Sequence, residues 1–130
     1  MNESMRAAVL WAMRDEAFAF AEYALFAEQA RSEGRDDLAA LFAGAANVEL
    51  HEHFAGLAAA YGLCGSSEEN LEKAIRDESA SGRHGFALLG KWARQAGERA
   101  FADRCDEYEQ EEHSQVHRFE QALHALEGPS

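Results

Sequence analysis

Apolar residues recur at steps of three and four along nearly the whole chain, the period of one face of an α-helix. The first stripe runs Val9, Met13, Glu16, Phe20, Tyr23, Ala27 and the second Leu38, Phe42, Ala45, Glu49, Glu52. The third runs Leu71, Ile75, Glu78, Gly82, Gly85, Leu89, Trp92 and the fourth Phe101, Cys105, Tyr108, Glu112, Gln115, Phe119. Between the stripes, Gly34 and Gly97 have the setting of C-terminal caps, and Ser66 or Ser67, with Glu69 or Asn70 behind it, that of an N-cap. The pattern predicts four helices, at roughly 3–32, 36–61, 67–96 and 98–126. It implies an all-α, antiparallel four-helix bundle in a single domain, built from hairpins 3–61 and 67–126.

Each stripe contains a glutamate, Glu16, Glu49, Glu78 or Glu112, where an apolar residue is expected. An ionised carboxylate among apolar side chains costs several kcal/mol unless it is protonated, paired or bound to a cation. The spacing is matched between the halves. Glu49 follows Gly34, and Glu112 follows Gly97, by fifteen residues, while Glu16 and Glu78 precede the same glycines by eighteen and nineteen. Two hairpins related by a two-fold axis would bring four carboxylates together at mid-bundle, a ligand set that neutralises and bridges two divalent ions. Glu52 is expected to complete one coordination shell, with Gln115 near the other.

The remaining composition narrows the class. A formal charge of −12 over 130 residues leaves no basic patch for nucleic acid. Two cysteines, Cys64 and Cys105, form no Cys-x-x-Cys pair, which excludes a rubredoxin or zinc-ribbon module and suits a reducing cytoplasm. No apolar run approaches the length of a membrane span, and the charged start of the chain does not read as a signal peptide. The single proline, Pro129, leaves the body of the chain free to be helical.

The segments 26–34, FAEQARSEG, and 69–78, ENLEKAIRDE, resemble the end of the first helix and the start of the third in rubrerythrins, within the ferritin-like diiron carboxylate proteins. The resemblance covers nearly the whole chain and aligns Glu16, Glu49, Glu78 and Glu112 with the metal-ligand glutamates of that family. It implies a pair of iron ions, with manganese as the alternative, reacting with peroxide or dioxygen. An electron donor would have to be a separate protein, since the fused rubredoxin domain is missing here. The chain departs from the family at the histidines of its Glu-x-x-His pairs, where Glu52 and Gln115 stand, and at an extra third-helix glutamate, where Ser81 stands. Oxygen-only ligation favours hard ions. His53 and His113, each within a turn of a stripe glutamate, are candidate replacements, since a small helix rotation would point them inward. His84, near Ser81, is another. Glu109 and His113 repeat the order of Glu49, Glu52 and His53. Tyr23 and Tyr108 are candidate hydrogen-bond donors behind the ligands.

In a ferritin-like bundle the second and third helices run parallel, so their connection must travel the bundle's length, roughly 39 Å for 26 residues. Residues 62–66 reach only about 18 Å. That leaves a simple up-down-up-down monomer or a homodimer that exchanges hairpins, and the exchanged dimer, which keeps the four-carboxylate centre, is the expectation. Alternatives to an oxidase or peroxidase are a metal-binding protein without turnover and a metal-free interaction module.

Overall fold

The computed structural model describes residues 1–79 and 85–128, and every regular element among them is helical. The chain divides into two compact units, Met1–Cys64 and Gly65–Ser130.

In the first unit, α1 (Glu3–Ser32) is capped by Asn2, whose side chain accepts a hydrogen bond from the Met5 amide. It ends at Gly34, where φ of +72° turns the chain and the Arg35 amide reaches back to the Ala30 carbonyl, the closing bond of a Schellman motif. The returning arm consists of α2 (Asp36–Val48), a π-helical segment (Glu49–Phe54) and α3 (Ala55–Tyr61), which follow one another without a break. The single α-helix expected over 36–61 is thus interrupted by a wider turn at one of its stripe glutamates. All three segments pack along α1. Near the turn the arms approach through small buried residues, Ala27 and Ala30 on α1 with Ala39 and Ala46 on α2. At the far end Val9, Met13 and Ala58 form a cluster under Phe54, Leu57, Tyr61 and Leu63. There Arg6 lies over the Tyr61 ring, 4.2 Å from its centroid, and donates a 3.0 Å hydrogen bond to the Tyr61 carbonyl.

The second unit opens with a capping box. Ser66 Oγ accepts from the Glu69 amide at 3.1 Å, and Glu69 accepts from the Ser66 amide at 2.7 Å. Helices α4 (Ser67–Ser79) and α5 (Gly85–Gln95) both pack against α6 (Arg99–Glu127). The turn at Gly97, φ +83°, repeats the geometry of Gly34, with the Glu98 amide donating to Ala93. Cys105 is fully enclosed against Gly90, where an added Cβ would stand 3.4 Å from the Cys105 Cβ. Arg94 and Asp106 tie α5 to α6 by an ion pair. Cys64, in the connector, is exposed. No described helix is long and apolar enough to cross a membrane.

Candidate metal centre

The first unit brings two of the four stripe glutamates together and adds a histidine. One ligand atom from each of Glu16, Glu49 and His53 lies within 4.8 Å of the others. His53 Nδ1 is 3.1 Å from Glu49 Oε2 and 3.5 Å from Glu16 Oε2. The carboxylates are the more sheltered partners, with side chains 29% and 18% exposed against 53% for His53, so the group opens to solvent on the imidazole side.

The π-helical segment determines which neighbour of Glu49 joins the group. In an α-helix of 3.6 residues per turn, the third and fourth residues on fall about 60° and 40° to either side of the first. A π-turn closes i→i+5 bonds and holds roughly one residue more per turn, so the third residue is carried more than about 100° round while the fourth stays within about 50° of the first. His53, four residues after Glu49, therefore faces Glu16, while Glu52 is exposed and is not a member of the group. Glu49 and His53 stand four residues apart, as Glu-x-x-x-His, and both lie in the π-helical segment.

The three groups shift one another's protonation. Glu16 is held above its ordinary value of 4.5, chiefly by its hydrogen bond to Glu49, then by desolvation and by the charge on Glu49. Glu49 is held below the same value, chiefly by that bond from Glu16 and then by His53. His53 is raised above 6.5, chiefly by its hydrogen bond to Glu49. A divalent ion held by the three groups would compete with protons on Glu16 and His53, the two whose protonated forms the group favours. Two oxygen donors and one nitrogen suit iron(II), manganese(II) or zinc(II).

In the second unit Glu78 on α4 and Glu109, Glu112 and His113 on α6 line one cavity of about 400 Å³, together with Phe86 and Val116. Here α6 is regular α-helix. Gln115 is exposed and lies beside a neighbouring hollow with Phe86, Tyr108, Glu111 and Glu112. Tyr108 packs on Phe86 at 5.2 Å between centroids. Tyr23 packs with Phe26 and Phe42. Both tyrosines thus take part in aromatic packing. The expectations for Ser81 and His84 fall outside the described residues.

Comparison with protein-family models, curated proteins and solved structures finds no match to the chain.

Proposed function

We propose that the protein is a ferritin-like, rubrerythrin-related metal protein whose first hairpin holds a redox cation, iron in preference to manganese, between Glu16, Glu49 and His53. The observation that carries this reading is the convergence of those three side chains from two helices on one point. Bound iron would supply the electron transfers by which peroxide or dioxygen is reduced, replenished by a separate donor. The chain's own part is to hold the cation from two arms, to release protons from Glu16 and His53 as it binds, and to leave the imidazole side open to small oxidants. In the ferritin-like arrangement Glu78 and Glu112 complete a dinuclear centre, supplied by the same chain or, through hairpin exchange, by a second copy. Thin hairpin cores, with alanines as the main buried residues, support such an assembly, because two helices alone enclose little apolar surface. Binding without turnover is the second reading. It is favoured by Gln115, a weaker donor where the resemblance expects an imidazole.

Metal analysis of the purified protein, then anaerobic titration with iron(II) and exposure to peroxide or dioxygen, tests the proposal. One or two irons per chain, oxidised faster by peroxide than by dioxygen and dependent on His53, are expected. Iron bound but inert to both oxidants would leave the second reading; no bound metal would dismiss both.

A further inference from the structure

Helix α6 carries a second set of ligand residues in one line. Glu109, His113, His117, Glu120 and His124 follow at steps of four, four, three and four, so consecutive members stand one turn apart on one face of the helix. Three of the chain's six histidines fall on this line. Its first four members border the cavity of about 400 Å³ whose lining α4 and α5 complete, and both His113 and His117 are exposed there.

Regular winding gives His113 a partner within its own helix. Residues four apart on an α-helix have Cβ atoms roughly 5–6 Å apart, a spacing at which two imidazoles can hold one ion, as two histidines at that separation hold zinc in helical metal sites. Glu109 and Glu120 lie one turn to either side of the pair and supply the negative charge that a dication calls for. Glu112 is next to His113 in sequence but about 100° round the helix. An ion held by the two histidines therefore leaves Glu112 to the dinuclear centre.

We infer that the second unit has a cation site of its own, at His113 and His117, and that it takes zinc(II) in preference to iron(II) or manganese(II). Two imidazoles bind divalent ions in the order manganese, iron, cobalt, nickel, copper, with zinc above iron, so the oxygen-rich site of the first unit and this one select different metals. The inference stands whether or not the first hairpin binds a redox metal. Because both ligands belong to one helix, the ion clamps α6 in its helical form beside the cavity and does not join the arms.

The test is a calorimetric titration of zinc(II) into the full chain carrying Glu49→Gln, which disables the first-unit site. One zinc per chain is expected, with manganese(II) bound at least about tenfold more weakly. His113→Ala and His117→Ala should each weaken zinc binding by about tenfold or more. Both variants should keep their helix content, since the two positions are exposed and alanine is the strongest helix former. Copper(II) in the same background gives a second readout, an electron paramagnetic resonance spectrum split by two imidazole nitrogens, with one lost in either histidine variant. Absence of zinc binding in the Glu49→Gln chain, zinc affinity unchanged by both histidine variants, or a copper spectrum indifferent to them would overturn the inference.

Discussion

The two units carry the same five-residue string in different windings. Glu49, Glu52 and His53 follow the order Glu-x-x-Glu-His, and Glu109, Glu112 and His113 repeat it. In the first unit the string is a π-turn, and its first and last members close on Glu16 of the other arm. In the second it lies in unbroken α-helix, and its acidic and histidine side chains border an open cavity with Glu78. A motif of ligand residues is therefore not yet a site; the winding that presents it and the side chain that meets it from the opposite arm determine whether its donors converge.

The largest expected effect comes from removing that meeting point. Glu49→Gln should reduce iron(II) or manganese(II) binding in the first unit below detection in a calorimetric titration, and His53→Ala should weaken it roughly tenfold to a hundredfold. His113→Ala should change it less than about threefold. Equal losses from the two histidine variants would abolish the distinction between the units. A sharper probe is deletion of His51, which sets Glu49 and His53 three residues apart and takes one residue out of the wide turn. Binding should survive the deletion with Glu49 and His53 still required; its loss would show that the wide turn is itself required.

The next effect in size concerns packing. Gly90→Leu forces a side chain into the contact with Cys105 and should destabilise the second unit by about 1–3 kcal/mol in thermal unfolding. Cation binding at Glu16, Glu49 and His53 should not change.

Two features of the sequence anticipated this architecture and two concealed the details. The three-and-four periodicity and the glycines at 34 and 97 predict the helical arms and their turns, because both reflect local backbone physics. Glu16 and Glu49 were singled out as acids in apolar stripes. Periodicity assumes uniform α-helical winding and so sets Glu52 with Glu49, whereas the π-helical segment has His53 beside Glu49. Periodicity sets Gln115 on the fourth stripe, whereas in α6 its side chain is exposed.

Smaller effects concern pH and the surface. His53, raised in the folded unit, contributes stability below its ordinary value of 6.5 that is lost as pH rises through its raised one. Glu16, also raised, loses its contribution in the same sense as pH climbs past its own raised value. Glu49, lowered, contributes above 4.5 and loses that contribution as pH falls through its lowered value. The metal-free first unit should accordingly show a shallow stability maximum in the mildly acidic range by thermal melts. Cation affinity should run the other way and rise with pH, because binding displaces the protons on Glu16 and His53. A pH-independent affinity would argue against those two groups as ligands. The smallest change is expected for Arg94→Ala, which removes an exposed ion pair with Asp106 and should leave the thermal melt of the second unit nearly unchanged.

The two cysteines differ in a way that is useful to spectroscopy. Cys64 is exposed in the connector and Cys105 is sealed against Gly90. A maleimide nitroxide offered to the native fold therefore attaches at the connector, with no cysteine engineered in or out. Pulsed dipolar measurements between two such labels would report how far apart the connectors of paired copies lie. A short distance would be expected if the two copies exchanged hairpins through a shared crossing.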